Sequence, residues 1–195
     1  MIEQAIDAAY EIDEIVSRSY AFSDCILAIL DFARETHNEA TLERVEILLE
    51  QVANKGAYAR SLSYFAVALA FFGHEEEAEK TMLEAIKTTA LIKDDFDRRD
   101  ALLDIATSAG DISFLLTDRR MIDKALSFSA QLTDGQKAYL YGYLSTIVSE
   151  EESTILMQNA LEIAEQIADP ITRSKVFLEL SNLLSSSEEK NEEDM

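Results

Sequence analysis

Stretches of the chain about 35 to 42 residues apart repeat one order of apolar and polar positions. The last copy reads Ala160, Leu161, Ile163, Ala164, Ile167, Asp169, Arg173, Val176, Phe177, Leu180, and one near the middle reads Ala85, Ile86, Thr88, Thr89, Ile92, Asp94, Arg98, Ala101, Leu102, Ile105. A copy at the start runs from Ala5 through Ile12, Glu14 and Arg18 to Cys25, and a fourth from Ala125 through Leu132 and Asp134 to Tyr141. In each, apolar residues fall three and four apart on either side of a short polar break. That spacing predicts two amphipathic helices joined by a turn.

The predicted helices lie near 2–14, 17–34, 39–54, 57–72, 75–92, 96–109, 113–132, 136–149, 152–168 and 170–185. Asp169 suits an N-cap, and Pro170 after it suits the first helical position, where a missing N–H costs no intrahelical bond. Asp94, Asp134 and Glu14 hold the same slot as Asp169 in other copies. Gly73 and Gly110 are each followed by residues that favour a new helix start, and both are read as left-handed C-caps. The expectation is one all-α domain over 1–184 with about ten antiparallel helices in four to five helix-pair repeats. The tail 185–195 holds no apolar residue before its final methionine and is expected to be disordered.

Over 59–90, Leu62, Phe65, Ala66, Leu69, Gly73, Ala78, Met82 and Ala85 follow a spaced order of large, large, small, large, glycine, small, large and small residues. This helix pair resembles a tetratricopeptide repeat, although no tryptophan fills the first large position and no proline follows Ala85. The stretch "ADPITRSKVFLELS" resembles, more loosely, αα-repeats of uncharacterised prokaryotic proteins. The resemblance implies a right-handed α-α superhelix, a TPR-like solenoid. It also implies that the first helix of each pair lines a concave face that binds a peptide or another protein.

Composition agrees with the pattern. Five glycines and one proline stand where average usage would place about 14 and about 10, so strands and tight turns are not expected. The net charge of −21 opposes contact with nucleic acid or anionic lipid and leaves cationic partners as the natural class. The start "MIEQAIDAAYEIDEI" has acids where an export signal needs a basic region, and the apolar run "FAVALAFF" at 65–72 is too short to span a bilayer. A cytoplasmic protein is expected. Cys25, the single cysteine, is read as a buried thiol beside Ile26 and Leu27.

Among candidate binding residues, Arg18, Arg60, Arg98 and Arg173 recur at the start of the concave-type helix and would form a ladder gripping a carboxylate-bearing segment. Alternatively each pairs with neighbouring acids and bridges repeats, and Ala138 in the fourth copy interrupts the ladder. In "AYLYGYLS", Tyr139 and Tyr143 share a helix face and would form a ligand shelf or an interhelical packing pair, with Tyr141 pointing away.

Enzymatic signals are sparse. "DDFDRRDALLD" has Arg98 where a diphosphate–magnesium motif needs a third carboxylate, though Asp97, Asp100 and Asp104 share a face. His37 and His74 fall in polar interhelix loops without metal-ligand spacing, and no Gly-x-Ser-x-Gly or phosphate-cradling loop is present. The expectation is a non-enzymatic scaffold or adaptor without cofactor or metal, binding a basic or amphipathic protein segment. An interhelical ligand pocket or enzyme site is the alternative. Self-assembly is a further one, since Ile2, Ala5, Ile6 and Ala9 form an apolar face that would dock on a second copy.

Overall fold

The computed structural model describes residues 1–193, with side chains through residue 185. Its ten helices are α1 (Ile2–Tyr10), α2 (Ile15–Thr36), α3 (Leu42–Leu49), α4 (Lys55–Phe71), α5 (Glu75–Thr89), α6 (Asp95–Leu116), α7 (Arg119–Phe128), α8 (Asp134–Ser145), α9 (Glu150–Gln166) and α10 (Pro170–Glu193). Short 3₁₀ turns span Glu39–Thr41 and Ser129–Gln131, and no strand occurs among the described residues. The tail expected over 185–195 lies, beyond Ser185, outside the described side chains.

Five helix-to-helix turns have the same chemistry. Ile12, Val52, Ile92, Leu132 and Ile167 each close a turn by donating their N–H to the carbonyl three residues earlier. The next helix then starts at a capping residue: Glu14, Asn54, Asp94, Thr133 or Asp169. Glu14 accepts from the Val16 and Ser17 amides, Asp94 from Phe96 and Asp97, and Asp169 from Thr172, which satisfies N–H groups that have no partner within the helix. Each cap also accepts the amide four residues on, at 2.8 to 3.0 Å. The cap expected at Asp134 lies one residue earlier, at Thr133, where Gln136 reaches back to complete a capping box.

The even-numbered helices that follow these caps lie in a row, α2 against α4, α4 against α6, α6 against α8, and α8 against α10. α3, α5, α7 and α9 each pack on the even-numbered helix before them and α1 packs on α2, while α3, α5 and α9 also touch the even-numbered helix after them. The central member α4 buries Leu62, Phe65, Ala66, Val67 and Leu69. One core runs from Ile6 to Leu144, and a smaller one joins α8, α9 and α10 through Ala138, Ala160, Ala164, Val176 and Leu180. Cys25 is buried as expected.

Gly73 ends α4 as expected. It is left-handed at φ +84°, its N–H bonds the Ala70 carbonyl, and that of His74 bonds Leu69. Gly110 does not end a helix. It sits inside α6, where a Cβ would stand 2.8 Å from both Leu144 Cδ2 and Ile147 Cδ1, so it is small in order to let α8 approach. α6 instead ends at Thr117, left-handed at φ +53°, and Asp118 caps α7 through the Arg120 amide. The predicted helix over 39–54 is likewise shorter, because Glu39–Thr41 is a 3₁₀ turn and the α-helix stops at Leu49, before the turn that Val52 closes.

Gly142 plays the same spacing role, since a Cβ there would overlap Leu180 Cδ2 on α10. Gly142→Ala is expected to lower stability by about 1 to 2 kcal/mol, the overpacking cost exceeding the gain in helix propensity. Thr117→Gly is expected to raise it by about 0.5 to 1 kcal/mol, because a β-branched residue is strained at this φ. Urea unfolding of both variants measures each change.

Candidate functional site

The common caps give the even helices a shared register. Six residues after the cap stand Tyr20, Arg60, Asp100, Tyr139 and Lys175; ten after it stand Asp24, Tyr64, Asp104, Tyr143 and Glu179. Positions four apart share a helix face, so these ten residues form one row across α2, α4, α6, α8 and α10.

Polar contacts tie the row together. Arg60 lies between two carboxylates, with Nη1 3.5 Å from Asp24 Oδ1 and Nε 3.6 Å from Asp104 Oδ2. Its guanidinium covers the Tyr64 ring at 5.6 Å, and Tyr64 Oη donates to Asp104 Oδ1 at 3.3 Å. Gln136 Nε2 donates to Asp100 Oδ1 at 2.7 Å, and Tyr143 Oη donates to Asp111. Tyr139 and Tyr143 stack with ring centres 6.3 Å apart, as their shared face required, and Tyr141 points instead toward Ser129 and Lys137. A cavity of about 270 Å³ opens in the row, lined by Tyr20, Gly56, Arg60, Asp97, Asp100 and Asp104.

Burial of side chains on this face shifts their chemistry. Burial pushes the Asp104 carboxyl up to about 6 against the opposing pull of Arg60 and the Tyr64 hydrogen bond. Asp100 is raised by burial and by the Asp97 charge. Tyr139 and Tyr143 are raised by burial first, then by Glu179 near Tyr139 and Asp111 near Tyr143. Neighbouring carboxylates add to the effect of burial at each of these groups.

The four arginines do not form one column. Arg18, Arg98 and Arg173 stand four residues after their caps, whereas Arg60 stands six after Asn54; the four-residue position is Tyr58 in α4 and Lys137, not Ala138, in α8. Arg18 Nη1 donates to the Ile12 carbonyl and Arg173 Nη1 to the Ile167 carbonyl, both at 3.2 Å. These two close their own turns. Arg98 pairs with Asp95 at 2.7 Å, and Arg60 alone joins the row.

His37 ends α2 in a left-handed conformation and packs edge-on against Phe71, while His74 Nε2 lies 2.7 Å from Glu39 Oε1. Neither reaches the row's contacts, and no metal-holding group of His, Cys, Asp and Glu side chains occurs among the described residues. The links Arg60–Asp104, Asp100–Gln136 and Tyr143–Asp111 were not read from the sequence. Aligning the copies on their caps, rather than on their apolar residues, brings the two columns into view. No family model matches the chain, and no curated protein or solved structure matches it either.

Because Asp104 holds its proton more tightly folded than unfolded, its contribution to stability is complete below about pH 4 and is lost as pH rises through about 6. Asp104→Asn does not titrate. The stability of this variant minus that of wild type is therefore expected to rise by about 1 to 2 kcal/mol between about pH 4 and pH 7. Thermal melts of both proteins across that range measure the difference, and a flat difference contradicts the assignment.

Proposed function

We propose that the chain is a non-enzymatic helical-repeat scaffold of the TPR-like, right-handed α-α superhelical kind, and that it binds a basic or amphipathic protein segment along the even-helix row. The observation carrying this reading is the row itself: five equivalent helices present acids and tyrosines at matching positions, with Asp24 and Glu179 exposed. Lysine or arginine side chains of a partner find carboxylates to pair with and, at Tyr139, a ring face beside Glu179, Asp104 and Asp111. The net charge of −21 draws such segments in and turns nucleic acid and anionic lipid away. No helix among the described residues is long and apolar enough to cross a membrane, so nothing in the helices favours a bilayer as the partner.

A second reading has one specific support. The cavity beside Arg60 and Asp104 is the size of a small metabolite, and burial pushes the Asp104 carboxyl up to about 6. In that case the partner is a small cationic ligand.

Fluorescence anisotropy with a labelled set of lysine- and arginine-rich amphipathic peptides separates the two. Peptide binding is expected to weaken roughly tenfold in Tyr139→Ala and on raising salt from about 0.1 to 0.5 M. Circular dichroism on the variant checks that its fold is kept. Equal affinity for acidic peptides, or no peptide binding alongside stabilisation by a small amine, removes the scaffold reading.

A further inference from the structure

The internal junctions between even helices follow a rule that extends to the two ends of the row. The residue nine positions after a cap faces the next helix: Ser23 Oγ accepts from Ser61 Oγ, seven after its own cap, at 3.0 Å, and Gly142 lies against Leu180. The residue six positions after a cap meets the one ten after the next cap, as Arg60 meets Asp104. On α10 the outgoing positions are Ile171, Lys175 and Leu178, which share one face. Leu178 is 63% exposed although its counterparts Ser23 and Ser63 are buried, and Ile171 is 69% exposed.

The incoming positions on α2 are open in the same way. Ala21, Asp24 and Ala28 correspond to Ser61, Tyr64 and Ala68 of α4, of which Ser61 and Ala68 are fully buried. Ala21 is half-buried, and Asp24 and Ala28 are exposed.

We propose that α10 of one copy docks on α2 of a second copy and continues the row across the contact. Three features of the two faces match. Lys175 occupies the position of Arg60, and Asp24 that of Asp104, so the pairing rule brings opposite charges together. Leu178, large and apolar, falls opposite the small Ala21, by the relation that places Ser23 opposite Ser61. Ile171 adds apolar area at the start of α10. The two faces differ, so the contact is head-to-tail and each copy keeps one open face, which leads to chains or rings rather than a closed two-fold dimer. This surface lies at the ends of the row, and the inference does not depend on what the row binds along its length.

Sedimentation velocity of the full chain over roughly 10 µM to 1 mM, at about 0.3 M salt to screen the repulsion between acidic copies, tests it. The average mass is expected to rise with concentration past two copies of 21.9 kDa. Leu178→Glu and Ala28→Glu, both at exposed positions, are each expected to weaken association at least tenfold. An equimolar mixture of the two variants retains one matched pair of faces and is expected to form pairs that grow no further. A wild type that stays at one copy throughout, a mixture that does not pair, or a dimer lost in Leu178→Glu and untouched by Ala28→Glu overturns the proposal.

Discussion

The row of even helices depends on how closely each can approach its neighbours, and small residues at the junctions set that distance. Ser23 meets Ser61 by a hydrogen bond between side chains. Gly110 admits Leu144 and Ile147, and Gly142 admits Leu180. A methyl group at either glycine forces the adjoining leucine aside, and a close-packed interior transmits that displacement instead of absorbing it. Because α2, α4, α6 and α8 each pack on the next member of the row, the spacing at one junction sets the register of the one after it.

That register creates the candidate site. Capping fixes where each even helix starts, close packing fixes its distance from the next, and together they bring positions six and ten residues after the caps into one line. Arg60 is the only arginine in this line and is held by two acids and an aromatic ring. Burial keeps Asp104 protonated to a higher pH than usual despite the pull of Arg60 and Tyr64. The result is a surface with an excess of acceptors over donors. That excess of negative charge is the physical basis of the proposal that the row takes a basic partner.

Arg18 and Arg173, set against Arg60, show how one residue type near a helix start acquires different work. Four residues after the cap, an arginine reaches back over its own turn to the carbonyl of the residue that closes it. Two residues later, at Arg60, the side chain leaves the turn and reaches the neighbouring helices instead.

The all-α class, the caps at Glu14, Asp94 and Asp169 and the left-handed Gly73 were legible in the sequence because they rest on local chemistry. Apolar spacing, a carboxylate or amide before a helix and a glycine after one each act within a few residues. The pairing of Tyr139 with Tyr143 was legible for the same reason. Gly110 was misread, because a glycine that ends a helix and one that admits a neighbouring helix look alike in a single strand of sequence, and only α8 lying against it distinguishes them. The Arg60–Asp104–Tyr64 cluster and the raised Asp104 carboxyl likewise required the tertiary structure. Desolvation and charge pairing depend on side chains some 40 residues apart in the chain, and nothing local to any of them records which neighbours folding will supply.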